Sequence, residues 1–216
     1  MPNIEVPSVV NIGHPDYRLS RIDGTRAENL DHLIANAVGD PILEREFGGT
    51  LAAYTDHIEA IQARLARMYE KAPVKRIGYL IVKQQTEEPV GMTYIGLRPD
   101  ATVLSVDGSI TSFPGINFSS WLLKEHRKRG IRSGIGDTIN EIARQLSQSH
   151  DPDHATWRGG TVYTGIRDTN QASERVTSKR GYAPVGVLLH DTAYRAWLRP
   201  DDWQHIGGSL YGNIPA

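Results

Sequence analysis

The stretch "EHRKRGIRSGIGDTI", residues 125–139, decides how this sequence is interpreted. It places five basic side chains and three glycines where a helical pattern begins. A solvated helix start normally favours acidic residues, because the helix dipole leaves partial positive charge at that end. Cations crowded there favour a bound anion, with a nucleic-acid patch or an exposed charged loop as the alternatives.

Composition narrows these alternatives. The chain has 216 residues, of which 39% are hydrophobic and 23% are charged, which is typical of a folded protein. No repeat or linker-like tract divides it, so we expect a single domain over residues 1–216. The formal net charge is −1, so any basic site is local, and this disfavours a nucleic-acid partner. The absence of cysteine excludes disulfides, thiolate zinc sites and cysteine nucleophiles.

Two further patterns in the sequence indicate where in the cell the protein is expected and whether it is expected to bind a metal ion. The N-terminal residues lack the basic start and apolar run of a signal peptide, and no apolar run approaches the roughly 20 residues that span a bilayer. We therefore expect a cytoplasmic protein with no membrane partner. The histidines and aspartates of residues 150–154 surround Pro152, which favours a solvated loop over a metal site, so no metal is expected.

Hydrophobic periodicity predicts a mixed α/β (α+β) domain with one layer of sheet and helices packed on it. Residues 1–16 are expected to form an extended arm and residues 204–216 a tail. A loop-rich hairpin with a break at Pro114 is expected over residues 100–115. Helices are predicted at 25–38, 48–72, 131–148 and 170–180, and strands at 76–84, 89–99, 116–124, 161–167, 182–190 and 192–199.

The order strand, basic glycine-containing turn, helix is the arrangement that binds phosphate. Backbone N–H groups point out of such a turn, the helix dipole adds to them, and surrounding cations neutralise the anion. Two known phosphate loops do not fit. No Lys-Ser or Lys-Thr follows the glycines as a P-loop requires, and Gly130, Gly134 and Gly136 do not have the Gly-x-Gly-x-x-Gly spacing.

The segment "SSWLLKEHRKRGIRSGI" (119–135) resembles the acetyl-CoA signature of the GNAT superfamily of N-acetyltransferases, which is Arg/Gln-x-x-Gly-x-Gly/Ala between a strand and a helix. In the helix predicted at 131–148, Ile131, Ile135, Ile139, Ile142 and Leu146 form an apolar stripe at helical spacing. The register that keeps this stripe in phase makes Arg127 the first position of the signature and Gly130 its glycine. Arg132 then stands where Gly or Ala is usual. An alternative register that uses Gly134 and Gly136 places glycine at both glycine positions of the signature, but it shifts the apolar stripe of the helix out of phase.

A second segment, "NQASERVTSKRGYAPVG" (170–186), is similar to the later motif of the same superfamily. Together the two motifs extend the resemblance from about residue 17 to residue 203. The branch that contains the ribosomal-protein N-terminal acetyltransferases is the most similar. The residues that match the second motif are Asn170, Ser173, Lys179, Gly181 and Tyr182.

The resemblance implies a GNAT-like fold, with a mostly antiparallel sheet and helices on both faces. It also implies an enzyme that moves acetyl from acetyl-CoA to a primary amine directly, in a ternary complex. Strands 116–123 and 161–167 would part, and pantetheine would pair with the exposed backbone. The expected cofactor-binding residues are Trp121, Leu122, Leu123, Arg127, Lys128, Arg129, Gly130, Ile131, Arg132, Ser133, Asn170 and Ser173.

Within this set, the basic turn would hold the pyrophosphate, and Asn170 would contact the pantetheine arm. Many members of the superfamily place a proton-donating tyrosine seven residues after the motif Asn, where this chain has Thr177. In the branch that this chain resembles, the serine three residues after the motif Asn is often assigned near the sulfur, so the resemblance makes Ser173 the candidate catalytic proton donor. Its alternative role is that of a small residue that allows close packing between helix and cofactor. The general base stays unassigned, with water or Glu44 or Glu46 as candidates.

Acidic residues predict the nature of the acceptor. A cluster in "DPILEREF" and two acids in the hairpin would attract a cationic amine, such as a basic protein N-terminus or a polyamine-like or amino-sugar molecule. The alternative is that they are ordinary helix-start and turn acids. A rival function is a non-catalytic acyl-CoA-binding module, and a homodimer stays open. The acids are Asp40, Glu44, Glu46, Asp100 and Asp107.

Overall fold

The computed structural model describes residues 6–22, 33, 36, 40–41, 76–150, 152–190 and 192–207. The helices predicted at 25–38 and 48–72 fall almost entirely outside these residues, as do Glu44 and Glu46. Leu33 and Asn36 are the exceptions; both are helical, and Leu33 is fully buried. Within the described part of the chain, no helix is long and apolar enough to cross a membrane.

One sheet of eight strands organises the described residues. Its spatial order is β1-β2-β3-β4-β5-β6-β8-β7, and every neighbouring pair is antiparallel except β5 and β6. This confirms the mixed, mostly antiparallel sheet. The strands are β1 (Val9–His14), β2 (Tyr17–Arg21), β3 (Arg76–Lys83), β4 (Pro89–Ser105), β5 (Ile110–Leu122), β6 (Thr161–Arg167), β7 (Ala183–Leu188) and β8 (Tyr194–Leu198).

Three α-helices accompany this sheet in the described ranges: α1 (Ile131–Gln148), α2 (Gln171–Ser178) and α3 (Pro200–His205). Helix α1 packs its apolar stripe onto a core built mainly from β1 to β6. That stripe is the predicted one, and all of its members are buried: Ile131, Ile135, Ile139, Ile142 and Leu146.

Both chain ends differ from the prediction. The expected N-terminal arm contains β1, which pairs antiparallel with β2 and places Ile12 in the core. At the other end, α3 extends into the expected tail and buries Trp203 completely. Residues 152–157 form a short 3-10 helix rather than a loop. Buried aromatic and aliphatic side chains explain why the two end segments are tied to the domain.

The predicted break at Pro114 is absent, because β4 and β5 continue as one long hairpin. The pairing register skips between Arg98 opposite Gly115 and Ala101 opposite Phe113. Pro114 lies in this bulge, where the missing N–H of proline removes no ladder bond. Residues 100–115, expected to be a loop-rich insertion, therefore form the outer half of the hairpin of β4 and β5.

The outer half of β4 also pairs with β7, which closes β4, β5, β6, β8 and β7 into a ring of strands. The ring encloses a second hydrophobic core, separate from the one under α1, that includes Phe113, Tyr163 and Trp203. The pairs that close it are Val103 with Leu188, Leu104 with Val187 and Ser105 with Gly186. The ring fixes where β5 and β6 meet.

Candidate functional site

A wedge opens between the two parallel strands β5 and β6. They pair only up to Asn117 and Tyr163, and β6 then continues against β8. Beyond Asn117, β5 keeps β4 as its strand partner in the described structure. The predicted parting of the two strands is therefore observed, with its vertex at Asn117.

The free edge of β5 lies at Ser120, just before the residues 121–123 that were predicted to pair with pantetheine. Main-chain groups alternate sides along a strand. The Ser119 carbonyl accepts from Thr93 on β4, so Phe118, Ser120 and Leu122 face the wedge. The Phe118 carbonyl accepts from the Thr164 hydroxyl at 3.3 Å, and the Leu122 carbonyl accepts from an arginine described below. Ser120 thus offers the main-chain groups best placed to pair with a ligand.

Two of the residues predicted to meet the pantetheine lie away from the wedge. Trp121 and Leu123 are buried and do not line the wedge. The backbone of Trp121 faces β4 by the same alternation, and the Leu123 N–H donates to the Val90 carbonyl at 2.9 Å. Of the three residues predicted to meet the pantetheine, Leu122 is the one that lines the cleft.

The wedge leads into a cleft of about 1000 Å³. Its walls come from β4, β5, β6, the basic turn and α2. The structure brings together there most of the predicted site residues: Leu122, Arg127, Lys128, Arg129, Gly130, Ile131, Arg132, Ser133, Asn170 and Ser173.

The basic turn has the backbone geometry of an anion site. Lys128 and Gly130 adopt the left-handed conformation, with φ of 63° and 76°. Gly130 is the N-cap of α1, no side chain caps this end, and its first turn contains no acidic residue. The side chains of Lys128 and Arg129 are exposed and make no hydrogen bond within the described chain. Helix start and turn together can bind phosphate.

Arg127 lines the cleft and is also bound within the protein. Its guanidinium makes two hydrogen bonds to the Asp40 carboxylate, at 2.6 and 3.2 Å, and its Nε donates to the Leu122 carbonyl at 3.0 Å. Asp40 is 8% exposed, so this pair is largely shielded from water. Arg127 therefore anchors the turn with its charge matched, and Asp40 is not a free carboxylate at the cleft mouth.

Arg180 is a cleft residue that the sequence did not single out. Its guanidinium donates to Asp137 at 2.8 Å and to the carbonyls of Arg132 and Ser133 at 2.8 and 2.6 Å. It lies across the first turn of α1, where it adds positive charge beside the helix start. A Cβ at Gly136 would lie closer than 3.0 Å to this guanidinium. An unexplained glycine inside a strongly helical segment was the available signal.

The three glycines of the opening stretch therefore have three separate roles. Gly130 supplies the left-handed N-cap, in agreement with the register that keeps the stripe in phase. Gly134 admits the backbone of β1, because a Cβ there would lie closer than 3.0 Å to the Ile12 carbonyl oxygen. Gly136 makes room for Arg180. Two of the three are therefore explained by packing rather than by ligand approach.

Helix α2 presents a buried hydroxyl to the cleft. Asn170 caps the helix, and its Oδ1 accepts from the Ser173 N–H at 3.1 Å. Ser173 is 4% exposed, and its Oγ has no hydrogen-bond partner among the described residues. Buried hydroxyls are rarely left unpaired in folded proteins. The hydroxyl is therefore available to a group that enters the cleft.

Phenols are also present, although position 177 lacks one. Tyr182 of the second motif donates to Asn140, and burial raises its pKa to about 12, so it braces α2 against α1. Tyr163 on β6 lines the cleft, and burial raises its pKa to about 12 as well. Its hydroxyl therefore stays protonated at neutral pH and can donate a hydrogen bond.

The lining of the cleft is strongly cationic in a protein whose net charge is −1. Its one acidic member in the described chain is Asp100. The predicted acid Asp107 instead accepts from Ser109 at the tip of the hairpin. No group of three metal-ligating side chains occurs in the described ranges. The basic lining residues are Arg98, Arg127, Lys128, Arg129, Arg132, Arg167 and Arg180.

Comparison with known proteins places the fold. No family model matches this chain, and no curated protein sequence does. Among solved structures, it is similar to RimL, a ribosomal L7/L12 α-N-protein acetyltransferase, with 14% identity over 91% of this chain and 97% of that chain and a TM-score of 0.53.

The chain is also similar to a Salmonella typhimurium acetyl transferase that modifies the N-terminal serine of the 50S ribosomal protein L7/L12. The identity is 15% over 88% of this chain and 95% of that chain, and the TM-score is 0.53. A GNAT-family acetyltransferase of Bordetella pertussis has 11% identity over 88% of this chain and 98% of that chain, with a TM-score of 0.54. The resemblance seen in the sequence is thus confirmed at the level of fold, which is that of the GNAT acetyltransferases.

Proposed function

We propose that this chain is an acetyl-CoA-dependent N-acetyltransferase that acts on a primary amine, of a protein N-terminus or of a small molecule. The observation that carries the proposal is the wedge between β5 and β6, which leads to an uncapped, basic helix start in a fold shared with acetyltransferases. We treat residues 1–216 as one catalytic domain.

The substrate phosphates would bind at the turn. The N–H groups of residues 129–132 would donate to the pyrophosphate, and the charges of Lys128, Arg129 and Arg180 would neutralise it. The Ser133 N–H instead donates to the Gly130 carbonyl at 3.1 Å. From there the pantetheine arm would follow the free edge of β5 and pair with the main chain of Ser120, as an added strand does. This path brings the thioester towards the wedge vertex and the N-terminus of α2.

The reaction needs a neutral amine, a polarised carbonyl and a proton for the departing sulfur. The amine nitrogen forms a bond to the acetyl carbonyl carbon, the carbon–sulfur bond breaks, the sulfur gains a proton and the nitrogen loses one. Ser173 is our candidate donor to the sulfur, because its buried hydroxyl lines the cleft without a partner. The absence of cysteine excludes a thiol-linked acetyl-enzyme, which favours direct transfer in a ternary complex.

A second candidate function is a non-catalytic acyl-CoA-binding module. Thr177 in place of the usual phenol favours it, as does the engagement of Tyr182 with Asn140. Such a module would bind coenzyme A but would not hydrolyse or transfer the thioester. The two functions therefore differ in a measurable product, the free thiol.

The test combines calorimetry with coenzyme A and single-turnover thiol release with a panel of primary amines. We expect micromolar or tighter binding and amine-dependent thiol release. Ser173→Ala should lower turnover about 100-fold while leaving coenzyme A affinity unchanged, because a general acid acts mainly in the transition state. Ser178→Ala, at an exposed position of the same helix, is the control. Binding without thiol release across the panel would favour the second function.

A further inference from the structure

Arg98 lies on the face of the sheet opposite α1. Ile95 and Leu97 of β4 contact the core that α1 covers. Successive residues of a strand point to opposite faces, so Arg98 points away from that helix. It lines the cleft from this opposite face.

Arg98 is also far from the basic turn. It pairs with Gly115, on the closed side of the wedge vertex at Asn117, whereas the turn follows Leu122. Seven residues of strand separate positions 115 and 122 and span about 23 Å. An anion held at the start of α1 therefore cannot be the partner of Arg98, and the cation needs another explanation.

The surroundings of Arg98 leave its guanidinium available. It makes no hydrogen bond or ion pair with any described residue, and none joins it to the exposed Asp100 two residues on. The Tyr163 ring lies across Gly115, where a Cβ would overlap it. Burial raises the pKa of that phenol, the charge of Arg98 opposes this rise, and the charge of Asp100 adds a smaller contribution to it. A cation and a protonated hydroxyl thus both line the cleft near the vertex, within electrostatic range of each other.

Building on the acetyltransferase function above, we propose that the amine acceptor carries a carboxylate, which Arg98 binds at the vertex of the cleft with Tyr163 as a second donor. A guanidinium presents paired N–H groups that match a carboxylate. Of the acids from which the sequence predicts a cationic acceptor, Asp40 is bound to Arg127 and Asp107 lies at the hairpin tip. Asp100 lines the cleft, and Glu44 and Glu46 lie outside the described residues.

Matched acceptors test this proposal by thiol release. The amidated dipeptides Ala-Glu, Ala-Gln and Ala-Lys vary a side-chain charge, and free alanine against alaninamide varies the α-carboxylate. We expect the carboxylate member of at least one set to exceed its neutral partner by about 10- to 100-fold in kcat/KM, the range of a charge-assisted hydrogen bond. Arg98→Gln should bring the ratio close to one, and Arg98→Lys should restore part of it.

Calorimetry separates recognition from turnover, because the acceptors can be titrated into protein saturated with coenzyme A, which has no acetyl group to transfer. Arg98→Gln should abolish the carboxylate preference here too, while coenzyme A affinity stays unchanged. Arg144→Gln, an arginine outside the cleft that pairs with Asp202, controls for net charge.

The outcomes distinguish the two proposals. Thiol release that is equal or faster with the neutral or lysine acceptors would overturn the carboxylate proposal and leave the acetyltransferase standing. Arg98-dependent binding of the carboxylate acceptors without thiol release would support the recognition site and refute catalysis. Neither binding nor release would refute both.

Discussion

Two glycines in the first turns of α1 provide a sharp test, because the same substitution should impair a different property at each position. A Cβ at Gly136 would overlap the guanidinium of Arg180, and a Cβ at Gly134 would overlap the Ile12 carbonyl oxygen. The first obstacle is the end of a flexible side chain, and the second is the backbone of β1. We expect Gly136→Ala to impair coenzyme A binding and Gly134→Ala to impair folding.

The magnitudes follow from these contacts. Each change gains about 1 kcal/mol of helix propensity. Gly136→Ala displaces Arg180, whose partner Asp137 has a side chain that is 70% exposed, so the ion pair itself contributes little. The two carbonyl bonds lost contribute about 0.5–1.5 kcal/mol each, so after the gain in propensity the stability should fall by about 0–2 kcal/mol. Gly134→Ala must move a strand, and overpacking of this kind costs about 1–3 kcal/mol.

Urea denaturation and calorimetry with coenzyme A measure the two effects separately. Gly136→Ala should weaken binding about 10- to 100-fold, as should Arg180→Ala, and the double variant should be no weaker than either. Full affinity in Gly136→Ala would refute Arg180 as a phosphate ligand. A wild-type urea midpoint for Gly134→Ala would refute the close approach of β1 to α1.

Three further changes follow from the site. Gly130→Ala should cost about 1 kcal/mol in urea denaturation because φ is 76°, and Gly130→Glu should in addition weaken coenzyme A binding in calorimetry by placing a carboxylate at the anion site. Asp40→Asn should lower the free energy of unfolding by about 1–3 kcal/mol because Arg127 loses its charged partner while partly buried; an unchanged urea midpoint would contradict this. Burial lowers the pKa of His126, so the folded state disfavours its protonation. The free energy of unfolding should therefore have its full value above about pH 6.5 and fall as the pH drops below it. His126→Asn should flatten that dependence, and an equally steep pH profile in the variant would assign it to other groups.

Local patterns in the sequence were enough to predict α1 and the turn before it. The stripe from Ile131 to Leu146 has one period throughout, and the glycine at 130 has the left-handed conformation that such a cap requires. These features depend on neighbours within a few residues. The second motif was likewise predictable, since Asn170 caps α2 and Gly181 ends it with φ of 78°.

The partners of the cationic residues could not be predicted in this way. Arg127 was interpreted as a phosphate ligand because its partner Asp40 is distant in sequence, and no local pattern marks such a pair. Arg180 reaches α1 from the end of α2 for the same reason. Pro114 was interpreted as a break, because a bulge that tolerates proline depends on the register of the neighbouring strand.

The ring of strands determines when the cleft can form. The ring closes where β4 pairs with β7, for example at Val103 and Leu188. The positions of β5 and β6, the two walls of the wedge, are therefore not fixed until β7 has left the ribosome. Closing so long a loop is entropically costly, and folds dominated by such distant pairings form slowly. A nascent chain that stops before β7 therefore has the basic turn and the whole of α1 but no finished vertex, and it exposes the apolar strands of the second core. Ligand binding should appear late in synthesis, together with protection of the C-terminal strands.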